Sequence, residues 1–281
     1  PDAHADCPMA HMASKAVIKK MKEEYEDLAV VCYINSTAEL KTMADICVTS
    51  SNAVKIVRSL PNKNIFFIPD GNLGAYVKKQ VPEKNIILND GYCITHKRVT
   101  LKDVEKAREE HPNVPIIVHP ECVNEVVEAT DFAGSTSELI QYTVDNPSKE
   151  FVIGTELGVL HEMQLKSPDK TFYPLSDKLI CMNMKKVSLE KVYDCLLNET
   201  NEVFVDEEVA KKAKYMVVSL PSNPVGSIAT PGLYEEIIAF AKKYDILIIH
   251  DNAYSDIIFD GAHGGSFLAT EGAKEIGVEF F

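Results

Sequence analysis

Apolar positions along the chain fall in short runs separated by longer amphipathic stretches. Ala29–Ile34, Asp45–Val48, Ile65–Ile68, Asn85–Leu88, Pro115–Val118, Phe151–Ile153 and Thr171–Tyr173 each hold three to six mostly apolar residues. Runs of that length and near-continuous apolar character are what strands buried on both faces of a parallel sheet require. The amphipathic stretches between them are helix-sized, so the alternation predicts α/β layers with parallel sheets. After Cys7-Pro8, the series Met9, Met12, Ala16 and Met21, with Lys and Glu between, predicts a helix to about Asp27. Beyond about Ala213 the predicted order is a strand over Lys214–Leu220, a turn over Pro221–Gly226, a helix over Thr230–Tyr244 and a strand over Ile246–His250.

The pattern repeats. VVCYIN (30–35) is matched by IIVHPE (116–121), DICVTSSN (45–52) by DFAGSTSE (131–138), and IFFIPDGNLG (65–74) by FVIGTELG (151–158), with Tyr33 and His119, and Asp70 and Glu156, each 86 positions apart. Each unit ends in a cysteine, Cys93 and Cys181, 88 apart, and Cys7 precedes Cys93 by 86. A unit of this size is too long for a solenoid and reads as a duplicated small domain, with Cys7 closing an earlier one. Loops after the strands of such units converge on ligands. Three of them on a common axis would bring three thiolates to one metal cluster, leaving one iron of a [4Fe–4S] cube open as a Lewis acid suited to dehydration. Taken singly, any of these cysteines also reads as an ordinary buried thiol.

Composition narrows the classes. Hydrophobic residues make up 46 % and charged residues 25 % of 281, enough for a globular core of about two domains. The net charge of −13 comes without a basic patch, which argues against nucleic-acid binding. No apolar run approaches the ~20 residues that cross a bilayer, and residues 1–20 do not read as a signal peptide. A cytoplasmic protein is expected. Seven cysteines without a CxxC pair argue for metal ligation or buried thiols over disulfides. Cys32, Cys47, Cys122 and Cys195 read as packing residues.

CPMAHM (7–12), VCYINSTAELK (31–41), DICVTSSNA (45–53), GYCITH (91–96), HPEC (119–122), GSTSELI (134–140), IGTELGVLH (153–161) and CMNMKK (181–186) together resemble the quinolinate synthase family, in order, over about residues 3–212. The resemblance implies three α/β domains around one [4Fe–4S] cluster held by Cys7, Cys93 and Cys181. It implies that iminoaspartate and dihydroxyacetone phosphate are condensed to quinolinate for NAD. Tyr33 and Asn35 match the Tyr-x-Asn that contacts iminoaspartate; Ser50, His119, Glu121 and Thr136 match further substrate-binding positions. Glu121, His119 and Tyr33 are the implied catalytic set, since carboxylate and imidazole can move protons in condensation and dehydration. Ser50 and Thr136 also read as helix N-caps, and Tyr33 as a strand-end core aromatic. The expected domains are 1–28, the remnant of an incomplete first domain, then 29–97, 98–213 and 214–281. Asn89 stands where the family usually has Trp, and the family's N-terminal stretch, which supplies further active-site groups, is not in the sequence.

Residues after about 214 resemble class I/II aminotransferases of the diaminopimelate branch. Asn223 in the Asn-Pro-x-Gly motif, Asp251 and Tyr254 match PLP contacts, with Asp251 placed to pair with the pyridinium nitrogen. That family's Schiff-base lysine and phosphate-binding region have no counterpart in this segment, so PLP binding is not expected. The alternatives to quinolinate synthase are therefore an aminotransferase fragment or an inactive chimera of two fragments.

Overall fold

The structure, a computed structural model, describes residues 1–212, 215–219, 229–251 and 265–280. The chain forms two compact units, Pro1–Val203 and Phe204–Phe281.

The first unit holds two sheets of the same design. Strands β1 (Leu28–Tyr33), β2 (Ile46–Val48), β3 (Asn64–Ile68) and β4 (Asn85–Leu88) lie in the order β2-β1-β3-β4, all parallel. Strands β5 (Ile116–Val118), β6 (Phe132–Ala133), β7 (Glu150–Gly154) and β8 (Thr171–Pro174) repeat it as β6-β5-β7-β8. Register repeats too: Val30 pairs with Phe66 and, 86 positions on, Ile116 with Val152. Local devices are duplicated. Asp45 Oδ2 accepts from Val30 N at 2.7 Å and Asp131 Oδ2 from Ile116 N at 2.7 Å, so each fixes the entry to a central strand. Lys84 donates to the carbonyls of Leu60 and Asn62, and Lys170 to those of Thr143 and Asn146.

Helices follow the strands: α2 (Ala38–Lys41), α3 (Ala53–Ser59), α4 (Gly71–Gln80), α6 (Asn124–Glu128), α7 (Thr136–Asp145) and α8 (Val159–Lys166). Three ten-residue helices, α1 (Lys15–Glu24), α5 (Leu101–Glu110) and α9 (Leu189–Asn198), each begin at a hydroxyl residue seven positions after a cysteine: Ser14 after Cys7, Thr100 after Cys93, Ser188 after Cys181. Hydroxyl side chains accept from first-turn amides and stop each helix from extending back into its cysteine loop. The seating of α1 and α5 is equivalent. Ile18 packs with Val30, Cys32, Phe66 and Ile68 on the first sheet, and Val104 with Ile116, Val118 and Val152 on the second. Helix α9 buries none of its residues and exposes Leu189, Tyr193, Leu196 and Leu197.

Four expectations need correction. The helix expected from Cys7 to about Asp27 is a turn of 3-10 helix at Pro8–His11 followed by α1, because Ser14 takes an extended backbone to cap Val17 N. Strand β6 was not legible as a run, being two half-buried residues. Ser50 and Thr136 are not N-caps. Asn52 precedes α3, and Ser135 caps α7 in a capping box with Glu138. Cys47 is exposed on the edge strand β2, whereas Cys32 and Cys122 are fully buried as expected of packing residues.

The second unit contains α10 (Glu207–Ala210), β9 (Tyr215–Ser219), α11 (Leu233–Tyr244), β10 (Leu247–Asp251) and β11 (Gly277–Phe280), with a parallel sheet ordered β11-β10-β9. Tyr234, Ile238 and Ala241 of α11 pack with Ile246, Ile248, Phe267 and Ala273. His250 is fully buried and satisfied, its ring nitrogens 3.2 Å from Tyr234 Oη and 2.8 Å from Glu279 Oε1.

Candidate active site

In the first unit the candidate groups lie at or beyond the C-terminal ends of parallel strands, where such sheets place ligands. Tyr33 closes β1 and Asn35 follows it; Ser50 follows β2, Asp70 β3, Cys93 β4, His119 and Glu121 β5, Thr136 β6, Glu156 β7 and Cys181 β8. A cavity of about 480 Å³ is lined by Cys7, Cys93 and Cys181 together with Asn35, His96 and Glu121. The three cysteines thus come from three separate loops to one space.

Each later cysteine loop is held by a carboxylate from its own sheet. Cys93 N donates to Asp70 Oδ2 at 3.2 Å, and Cys181 N to Glu156 Oε1 at 3.3 Å. The other oxygens of these carboxylates accept from Leu73 N and Gly158 N at the starts of the next helices. Burial, then the charge of Glu121, pushes Asp70 up to about 7 against the pull of its backbone donors. The Cys7 loop is tied to the first sheet by Asn89 Nδ2, which donates to the carbonyls of Met12 (2.9 Å) and Pro69 (2.7 Å).

Glu121 is the hub of the cavity wall. It is buried, 2.9 Å from His96 Nδ1 and 3.9 Å from His119 Nδ1, with the Tyr33 hydroxyl close enough for each to shift the other's titration. Burial alone would raise its carboxyl; the His96 hydrogen bond, the histidine charges and the Tyr33 hydroxyl outweigh it and hold the group near 2. Burial pulls His119 down to about 4 despite Glu121 beside it. At neutral pH His119 is therefore uncharged, and His96 with Tyr33 stabilises the carboxylate. Burial, with the Glu121 charge, drives the Tyr33 hydroxyl well above its usual range, keeping it a donor. His96 completes the network through Thr155 Oγ1 at 3.0 Å and Cys93 Sγ at 3.2 Å.

Metal-ligand chemistry suits the thiols. Burial raises Cys7 and Cys93 as free thiols, and a cation among them would reverse that by taking the thiolate form. A second donor set shares Cys93: its sulfur, a His96 nitrogen and a Glu121 oxygen lie within 4.8 Å of one another.

Of the residues singled out from sequence, Cys7, Asn35, Cys93, Glu121 and Cys181 line the cavity, and Tyr33 and His119 reach it through Glu121. Ser50, on the loop after edge strand β2, and the exposed Thr136, first residue of α7 after edge strand β6, do not line it. Asp251 closes β10 of the second unit, while Asn223 and Tyr254 lie outside the described residues. Sequence reasoning missed His96, Asp70, Glu156 and Thr155. The three-residue spacing from Cys93 to His96, and the 86-residue spacing from Asp70 to Glu156, were the available signals.

Residues 1–220 match the family described as Quinolinate synthetase A protein, and residues 181–275 match Aminotransferase class I and II. Quinolinate synthase from Caldicellulosiruptor bescii is 51 % identical over 214 residues, covering 76 % of this chain and 71 % of that protein. The enzyme from Fusobacterium nucleatum is 52 % identical over 212 residues, 75 % and 70 % of the two chains. Among solved structures, substrate-bound BacF from Bacillus subtilis (27 % identity, TM-score 0.25) and a probable N-succinyldiaminopimelate aminotransferase from Thermus thermophilus (26 %, 0.25) cover 51 % and 50 % of this chain and 33 % of their own. Scores that low carry no argument about the arrangement of the whole. The family match over residues 1–220 and relatives about half identical over three quarters of the chain show that it belongs to the quinolinate synthase family, the iron–sulfur enzymes of de novo NAD biosynthesis.

Proposed function

We propose that the chain's own site is that of a quinolinate synthase: Cys7, Cys93 and Cys181 hold a [4Fe–4S] cluster, and iminoaspartate and dihydroxyacetone phosphate are condensed beside it. The observation that carries this reading is the convergence of three cysteines, from loops 86 and 88 residues apart, on one cavity whose wall is the Glu121 carboxylate. When bound, such a cluster supplies an open iron as Lewis acid.

The chain's residues would do the rest. Asn35, with Tyr33 behind it, offers hydrogen bonds to substrate carboxylates. Ser50 and Thr136, near the starts of α3 and α7, offer hydroxyls for the phosphate, with the helix N-termini favouring its charge. Glu121, ionised and flanked by two imidazoles and a phenol, would take a proton from carbon or nitrogen in the condensation and return it as water leaves. His119, neutral, would orient that carboxylate. The domain divisions at 28/29 and 97/98 follow the repeat, that at 213/214 follows the change of sequence character after about Ala213, and residues 214–281 are proposed to lack PLP and to take no part in catalysis.

Anaerobic reconstitution with iron and sulfide tests the proposal. Expected are broad absorbance near 400 nm, about four irons per chain and quinolinate formed from the two substrates. Substituting Ala for any one of the three cysteines should abolish the absorbance. One iron per chain, lost in His96→Ala, would instead assign the metal to the Cys93–His96–Glu121 set. A colourless chain would overturn the reading.

A further inference from the structure

Two cysteines outside the site face each other. Cys32 on β1 and Cys47 on β2 are aligned partners in neighbouring parallel strands. Side chains alternate along a strand, so aligned partners project from the same face, and strands lie ~4.8 Å apart. That spacing falls inside the ~4.4–6.8 Å Cα separation that a disulfide spans. Cys32 is buried at 0 % exposure, with its Sγ donating to the Tyr33 carbonyl at 3.5 Å; Cys47 is exposed on the edge. The neighbouring Cys32 thiol and, against burial, the charge of Lys41 bring the Cys47 thiol down to about 7. The accessible member is thus the more nucleophilic one.

The duplication supplies a control. Eighty-six positions on, the same aligned pair is Val118 and Ala133, so packing at this position does not call for sulfur. Of the other cysteines, three line the cavity, Cys122 is buried with its Sγ toward the Gly154 carbonyl, and Cys195 Sγ donates to the Thr200 carbonyl at 2.9 Å.

We infer that Cys32 and Cys47 form a reversible dithiol–disulfide pair that exchanges with small-molecule disulfides of the glutathione type. The Cys47 thiolate attacks one sulfur of RSSR, forming Cys47–S–SR and releasing RS⁻, which takes up a proton. Cys32 then attacks Cys47 Sγ, its proton passing to the second departing thiolate. Two protein thiols are oxidised and one disulfide is reduced to two RSH. Strand β1 leads to Tyr33 and β2 to Ser50, so the bond would tie together two strands that end at the proposed substrate loops. The inference does not rest on the cluster reading.

Its test maps thiols in the full-length chain. Cys32 and Cys47 fall in separate tryptic peptides, 23–41 and 42–55. Reduced protein is treated anaerobically with oxidised glutathione, blocked with N-ethylmaleimide, digested and weighed. The expected product is peptide 23–41 linked to 42–55, released by reductant. Cys32→Val should stop at a stable glutathione adduct on Cys47, and Cys47→Ala should leave Cys32 unmodified. A persistent adduct on Cys47 in the unaltered chain, or linkage of either residue to a third cysteine, would overturn the pair. The unaltered chain decides this even if a variant fails to fold.

Discussion

The two sheets of the first unit share strand order, register, strand-entry aspartates and loop-bridging lysines, yet they differ at one place of consequence. Where β1 ends in Tyr33-Ile34-Asn35, β5 leads to His119-Pro120-Glu121. The first pair offers a phenol and an amide, groups that bind. The second offers an imidazole and a carboxylate, groups able to take up and return protons. Duplication kept the frame constant and left the strand tips to diverge, so chemistry here is separable from folding. The Tyr33 hydroxyl senses the Glu121 charge, so the groups proposed to bind and the groups proposed to move protons meet between the two tips.

Breaking that division should show in kinetics first. Glu121→Gln is expected to lower kcat on the order of 10²–10⁴-fold with little change in KM; a KM effect alone would make the second tip a binding site like the first. His119 comes next. Its value is about 4 folded against 6.5 unfolded, so as pH falls the unfolded chain is protonated first. The stability its neutral form contributes is fully present above pH 6.5 and lost between 6.5 and 4, about 3 kcal/mol in all. Urea midpoints across that window should decline in the unaltered chain and flatten in His119→Gln; an unchanged slope would place the acid sensitivity elsewhere. Asn35→Ala should raise KM about tenfold, the size of one hydrogen bond to a charged group, and leave kcat nearly intact. The smallest effect tests the shared frame. Asp45→Ala and Asp131→Ala each remove one acceptor from a strand-entry amide and should cost about 1 kcal/mol by denaturation. A slightly larger loss is expected for Asp131, whose carboxylate also meets Arg108 at 2.8 Å, against 3.5 Å from Lys22 to Asp45. Unequal losses of several-fold would mean the two frames are not energetically equivalent.

Much of the fold was legible because buried parallel strands are apolar on both faces and therefore stand out as runs, and because the 86-residue spacing aligned one sheet on the other. Strand β6 escaped because two residues on an edge make no run. The helix after Cys7 was overextended because Met9 and Met12 continue its apolar spacing, whereas the Ser14 cap decides where it starts. In the site, Glu121 and the cysteines could be placed because motif and repeat both mark them. His96 could not be given a role from sequence: its three contacts, to Glu121, Cys93 and Thr155, come from two different sheets' loops and exist only after folding. The burial that pulls His119 down and the carboxylate crowding that pushes Asp70 up are likewise products of packing.

The helix that begins seven residues after Cys93 beds on the second sheet, while the cysteine's own amide is fastened by Asp70 to the first. The segment 93–100 is thus a tether between two bodies, and the sulfur sits on the tether. A single proteolytic cut there would part Cys93 from the second sheet while the cores of both sheets stayed packed, so a cluster held as proposed would lose one of its two anchorages before either sheet melted.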